Sequence, residues 1–267
     1  MLKDVTLGQY FPGDSLLHRL DPRTKLIMVV FYIAALFTAK WYISYALVLI
    51  FLAAAIKIST VRLKVILKGV KPLLFVIILT ALLNLFYTPG REIVSFWIFK
   101  ITWEGIQSAV LMALRIVMLI AGTFLLTYTT SPILLTDGLE NLLNPLKKIR
   151  VPVHELAMMM SIALRFIPTL IEETDKIISA QKSRGADFES GNLIKRAKAL
   201  VPILVPLFIS SFRRADELAV AMECRCYHGG EGRTRLKQLR YEMRDWLTLT
   251  VGAVLMAAVI ALRIFGL

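Results

Sequence analysis

The stretch Leu26–Ile56, LIMVVFYIAALFTAKWYISYALVLIFLAAAI, carries a single charge, Lys40, and its reading decides the architecture. Taken as one helix it is about 31 residues, roughly 46 Å at 1.5 Å per residue, far more than one bilayer crossing requires. Taken as a hairpin it gives two arms, residues 26–39 and 41–56, each slightly short, with Lys40 snorkelling and Trp41 and Tyr42 forming an aromatic belt at the turn. The flanks decide between the two. Arg19, Arg23 and Lys25 precede the stretch, and Lys57, Arg62, Lys64, Lys68 and Lys71 follow it. Both basic flanks belong in the cytoplasm under the positive-inside rule, which demands an even number of crossings between them. A transmembrane hairpin is therefore predicted.

Working outward, residues 72–87 (PLLFVIILTALLNLFY) form a third span, and residues 106–127, interrupted only by Arg115, a fourth. The connection between them holds Arg91, Glu92, Lys100 and Glu104, a balanced set compatible with the outside. Arg115 is an intramembrane cation, read either as a functional group or as a structural one that snorkels or pairs with a neighbour. A last apolar run, 246–267, follows Arg233, Arg235, Lys237, Arg240 and Arg244 and so starts inside and ends outside. The fold class is all-α: a polytopic plasma-membrane protein with about five spans and a cytoplasmic N-terminus.

Composition agrees and adds a second part. The 267 residues are 57% hydrophobic yet carry 32 Lys+Arg against 19 Asp+Glu, a net charge of +13, and the mean hydropathy is +0.67. An ordinary soluble domain and a disordered basic tail are both excluded by that pairing. With 19% charged residues, the chain is too polar for spans joined only by short turns. The charges concentrate between Pro145 and Asp245. The predicted organisation is an N-terminal membrane domain, 1–129, a cytoplasmic coupling domain, 130–244, and a C-terminal span, 245–267. Within the middle part, helices are predicted over 132–143, 152–183 and 192–226. The two long ones hold apolar runs near their starts that are too short and too proline-interrupted for confident spans. Cys224 and Cys226, one residue apart, give no disulfide framework. The N-terminal residues lack a signal-peptide core, so the first span is expected to act as its own insertion signal.

The middle part contains a repeat. Sliding the second long segment back by 41 residues superposes Asp216 on Asp175, Ala221 on Ala180 and Arg225 on Arg184, with matching apolar classes upstream. The two segments are TDKIISAQKSRGADF, residues 174–188, and ADELAVAMECRCYHG, residues 215–229. Each is an acidic turn, an amphipathic stretch, then an arginine between two small residues before a glycine-containing break, which places both arginines at helix C-termini. An arginine there interacts favourably with the helix dipole, worth about 0.3–1 kcal/mol, and needs no further role. Two at equivalent positions of a repeat point instead to paired docking, each planar fork entering a carboxylate-lined groove of a partner.

At these residues the sequence resembles the T component, EcfT or CbiQ-like, of energy-coupling factor transporters, a branch of the ABC importers. The likeness rests on TTSP at Thr129–Pro132, NPLKKIRVP at Asn144–Pro152, LRFIPTL at Leu164–Leu170, AQKSRGAD at Ala180–Asp187 and AMECRCY at Ala221–Tyr227. The resemblance implies a membrane scaffold whose coupling helices end in X-Arg-X motifs, here Ser183-Arg184-Gly185 and Cys224-Arg225-Cys226. It implies docking of those arginines in two cytoplasmic ABC ATPase subunits, and a substrate-binding membrane S component held on the apolar helix faces. ATP and magnesium would then be bound by the ATPases, with no cofactor in this chain, for uptake of vitamins or metal ions. Pro168, Pro202 and Pro206 are expected to permit bends at fixed places. Cys226 departs from the glycine usual at that position and leaves the backbone exit of the second motif open.

Other chemistry has weaker signals. No G-x-x-x-x-G-K-[ST] phosphate loop is present, so ATP hydrolysis is assigned elsewhere and the chain is read as non-enzymatic. Gly229-Gly230-Glu231-Gly232 reads as a flexible connection. Cys224, Cys226 and His228 are too few and too close for a structural zinc site. His18 and His154 are read as having no paired acid or nucleophile. The basic residues are explained by topology and anionic lipid rather than nucleic acid. The rival reading is an autonomous secondary carrier or channel, which usually shows repeated sets of spans; here the repeat lies outside them.

Overall fold

The structure, a computed structural model, describes residues 10–96, 99–188, 192–230 and 238–266. Among the described residues two compact units are present: one holds residues 10–139 together with 239–266, the other runs from Glu140 to Gln238.

In the first unit a short helix, α1 (Leu16–Arg19), leads into α2 (Pro22–Thr38). Asp21 caps α2 by accepting from the Arg23 N–H at 2.9 Å, and Pro22 occupies the first turn, where its missing N–H costs nothing. The chain leaves the helix at Ala39 and re-enters at Tyr42 as α3 (Tyr42–Ser59), so the hairpin turns at Lys40 and Trp41. The next apolar segment begins at Leu63 rather than Pro72. It comprises α4 (Leu63–Val70), a 3-10 turn (Lys71–Leu73) and α5 (Leu74–Tyr87). Pro72 explains the join, because it cannot donate into the α-helical ladder.

The connection from α5 is an antiparallel hairpin, β1 (Glu92–Phe96) with β2 (Phe99–Thr102), where the sequence reading has only a loop. Thr102 then caps α6 (Trp103–Thr129): its hydroxyl accepts from the Gly105 N–H at 3.0 Å and donates to the Thr88 carbonyl at 2.8 Å. This helix packs against α2, α3, α4 and α5. The core around it includes Tyr32, Leu36, Tyr45, Val48, Leu52, Met118 and Tyr128. Gly122 makes the closest approach possible, since a Cβ there would lie 2.4 Å from the Tyr32 ring. The Tyr32 hydroxyl donates to the Met118 carbonyl at 2.8 Å, so its polar tip is satisfied in the core.

Arg115 has a structural place. Its guanidinium donates to the Ala39 carbonyl at 3.0 Å, the last carbonyl of the first hairpin arm, and lies 5.9 Å and 5.5 Å from the ring centroids of Phe37 and Tyr45. The carbonyl of the buried Ala39 at this helix end is thereby capped by a side chain from another span.

The last helix of this unit is α10 (Met243–Phe265), packed on α2 with Gly252 against Met28. Asp245 closes a capping box with Glu242 and also accepts the Asp21 N–H at 2.9 Å. One carboxylate, 2% exposed, thus ties the starts of two spans together. Lys25 joins the same node by donating to the carbonyls of His18 and Thr129 and the hydroxyl of Thr130.

The second unit begins within α7 (Pro132–Leu143) and includes a 3-10 turn (Asn144–Ile149). It consists chiefly of α8 (Val153–Ser183) and α9 (Leu193–Cys224).

Among the described residues, five segments are long and apolar enough to cross a membrane: 42–59, 63–87, 103–129, 153–183 and 243–265. The 17 residues of α2 lie at the short end of the spanning range. By length and composition α8 joins the set, which the sequence reading kept cytoplasmic. Its best window has a mean hydropathy of only 1.3 against 2.0–2.4 for the others. Arg165, Glu172 and Glu173 interrupt the helix, which makes it the least apolar of the five.

Candidate functional site: two arginine-bearing helix tips

Both motif arginines sit at the C-cap of a long helix, and the two caps are the same hydrogen-bonded structure. At the first, Gly185 has φ +85 and its N–H donates to the Lys182 carbonyl at 3.0 Å, while the Ala186 N–H donates to Gln181 at 3.0 Å. At the second, Cys226 has φ +54 and its N–H donates to Glu223 at 2.8 Å, while the Tyr227 N–H donates to Met222 at 3.1 Å. Each is a Schellman motif with a left-handed residue just after the arginine. Cys226 therefore takes the glycine conformation without being glycine, and the exit left open by the sequence follows the first tip. The cost is the left-handed strain of an L-residue, about 1–2 kcal/mol.

Ser183, Arg184, Gly185, Cys224, Arg225 and Cys226 are all exposed. Among the described residues, no carboxylate or carbonyl pairs with the guanidinium of Arg184 or Arg225. Both cysteines are free thiols. The His228 Nδ1 lies 2.7 Å from the Cys226 carbonyl, a local contact that closes the turn after the tip. Beyond it, Gly230 lies against His154: a Cβ there would fall 2.5 Å from the ring.

The helices bearing the tips run antiparallel where they touch. Glu173 of α8 meets Arg214 of α9 at 2.8 Å and also accepts from Ser210, whereas Gln181, further along α8, reaches back to Pro202, earlier in α9. Arg214 is the repeat equivalent of Glu173, 41 residues on. This one equivalent pair therefore lies near a local pseudo-twofold axis, and the tips project from opposite ends of the helix pair. From the helical rise they are roughly 30–40 Å apart.

Pro168, Pro202 and Pro206 all lie inside uninterrupted helix. Pro206 has no N–H for the Pro202 carbonyl, and that carbonyl is the one Gln181 approaches at 3.5 Å. Along α9, Leu204, Val205, Phe208, Ile209 and Phe212 are exposed, with the two phenylalanine rings packed edge to face at 4.8 Å. An apolar face of this size calls for lipid or protein cover.

Two assignments from sequence need correction. His154 does have a paired acid, with its Nδ1 3.0 Å from Glu140. His18 has a hydroxyl partner, Ser15, at 2.6 Å, but that serine also accepts the His18 N–H as the cap of α1, and the other ring nitrogen faces the Phe11 carbonyl. Sequence reading also missed Glu173, Gln181, Ser210 and Arg214. One signal was available: opposite charges at equivalent repeat positions, Glu173 and Arg214.

Residues 13–236 match the family model of CbiQ, described as a cobalt transport protein. The chain belongs to this family. It is 55% identical over 263 residues to the energy-coupling factor transporter transmembrane protein EcfT of Ruminiclostridium cellulolyticum, covering 98% of both chains. It is 56% identical over 267 residues to the protein of the same name from Clostridium kluyveri, covering 99% of both. The Lactococcus lactis protein of that name shares 44% over 262 residues and 98% of each chain. As a CbiQ-family protein it is a multi-pass transmembrane component of an energy-coupling factor transporter. The family match spans both arginine tips.

Proposed function

We propose that the chain is the non-catalytic coupling subunit of an energy-coupling factor importer, receiving work from two cytoplasmic ATPases. Arg184 docks in one and Arg225 in the other. The observation that carries this reading is the pair of matched arginine caps, unpaired among the described residues, at opposite ends of one antiparallel helix pair. Two separated ATPase subunits fit such an arrangement better than one compact partner does. ATP and magnesium belong to those subunits; closure of the ATPases on ATP displaces the two tips, and α8 and α9 carry the displacement as rigid bodies that bend at Pro168, Pro202 and Pro206. The exposed apolar face of α9 supports contact with a substrate-binding S component, which selects the vitamin or metal ion. The N-terminus and the second unit lie in the cytoplasm, as the basic flanks of the spans demand.

Co-expression with an ATPase pair tests this. The chain is expected to co-purify with both subunits, to lose both when Arg184→Ala and Arg225→Ala are combined, and to show no uptake alone in liposomes. Transport by the chain alone would make it a carrier and overturn the proposal.

A further inference from the structure

The first unit contains a cavity of about 450 Å³ bounded by α1, α2, α3, α6 and α10. It is a slot along the helix axes. Lys25 and Tyr32 on α2, and Arg244 and Val251 on α10, mark its two ends, about two turns or roughly 10 Å apart. Its walls are almost wholly apolar, and no carboxylate lines it among the described residues. One end is closed by Tyr32, fixed by the Met118 carbonyl and seated on Gly122. The other ends at Lys25, Thr129 and Arg244. Leu16, Ile58, Leu247 and Val251 line the slot yet remain 59%, 45%, 65% and 44% exposed, so it opens sideways to the hydrocarbon around the spans.

We propose that this slot binds one acyl chain of an anionic phospholipid, with the lipid phosphate at Arg244. The inference rests on membrane embedding and not on the coupling reading. The ammonium of Lys25 is already spent on three oxygens, with the Asp21 and Asp245 carboxylates close by, so Arg244 is the cation left for a phosphate. Arg244 is half exposed, with Glu242 at 3.1 Å, and can exchange that surface pair for a phosphate, which accepts its fork bidentately. Both cations stand in the basic flanks of their spans, where anionic headgroups are attracted. A free anion has no use for the apolar slot, and a zwitterionic lipid offers the same phosphate with a cation beside it that offsets the attraction to a basic flank.

The test uses the full chain in vesicles of phosphatidylcholine and phosphatidylglycerol, doped with either lipid carrying a photoreactive group on its tail. The phosphatidylglycerol probe is expected to label Met28, Phe51 and Leu126 and to be displaced when Ala55→Phe fills the slot. Arg244→Gln is expected to reduce the preference for phosphatidylglycerol over phosphatidylcholine about fivefold. If Ala55→Phe fails to fold, the labelling map of the native chain decides. Labelling confined to outward residues such as Val30 and Ile50 overturns the proposal, as does equal slot labelling by both headgroups. Slot labelling that disappears when the chain is assembled with its transporter partners assigns the slot to a partner helix and overturns it too.

Discussion

Glu173 and Arg214 form an ion pair at 2.8 Å although they occupy the same place in the two halves of a repeat. With Gln181 of α8 approaching Pro202 of α9, this contact makes the two helices antiparallel about a local two-fold near the pair and sends their arginine tips apart. The pair is partly exposed, at 36% and 22%, which limits its worth to about 1 kcal/mol or less.

Its value lies in orientation. Changing Glu173 to Arg, or Arg214 to Glu, places like charges at the crossing and is expected to lower the melting temperature of the purified chain and weaken ATPase binding. The double swap restores both, because the axis makes the two sites interchangeable. A double-mutant cycle should return a coupling of about 0.5–1 kcal/mol; no coupling would mean that the helices do not cross there.

Cys226 adopts a conformation that glycine takes freely. Cys226→Gly is expected to stabilise the second tip by about 1 kcal/mol, and Gly185→Ala to destabilise the first by a similar amount. Hydrogen exchange at the Tyr227 and Ala186 amides reads each effect directly: slower after the first change, faster after the second.

Arg115 serves the hairpin turn through the Ala39 carbonyl and two aromatic rings. Arg115→Met keeps the stem and removes the cap, and is expected to cost about 1.5–3 kcal/mol in detergent-solubilised protein, the range for hydrogen bonds to charged groups. Unchanged thermal stability would show that the guanidinium is merely accommodated.

The buried carboxylate of Asp245 holds the first turns of α2 and α10 together by accepting two backbone N–H groups. Asp245→Ala leaves both donors without a partner and is expected to destabilise the membrane unit by about 2 kcal/mol or more. Asp245→Asn keeps one acceptor oxygen and should cost less. Equal melting temperatures for the two variants would contradict this.

Much of this was legible in sequence. Apolar run lengths and basic flanks were enough for the hairpin at Lys40 and the long α6, and the repeat located both tips. Boundaries shifted where polar caps, not apolarity, begin a helix: α2 starts at Pro22 behind Asp21, four residues before the apolar run at Leu26. The partner of Arg115 is a backbone carbonyl, which no side-chain pattern announces. The repeat showed which residues are equivalent, but equivalence does not say which ones touch. The antiparallel crossing needed two contacts read together, Glu173 with Arg214 and Gln181 with Pro202. The slot beside Tyr32 needed coordinates for the same reason, since α3, α6 and α10 reach it from places far along the chain from α1 and α2.

The central claim is that Arg184 and Arg225 each carry one of two separate mechanical connections. ATP-driven uptake in proteoliposomes containing the whole transporter tests it most directly, comparing Arg184→Ala, Arg225→Ala and the double change. Removing one buried, hydrogen-bonded charge from an interface costs about 2–5 kcal/mol. Each single change is expected to reduce uptake severely and the double change to abolish it, with the melting temperature of the isolated chain unaltered because both side chains are exposed and, among the described residues, unpaired. Uptake at the native rate with both arginines replaced would contradict it.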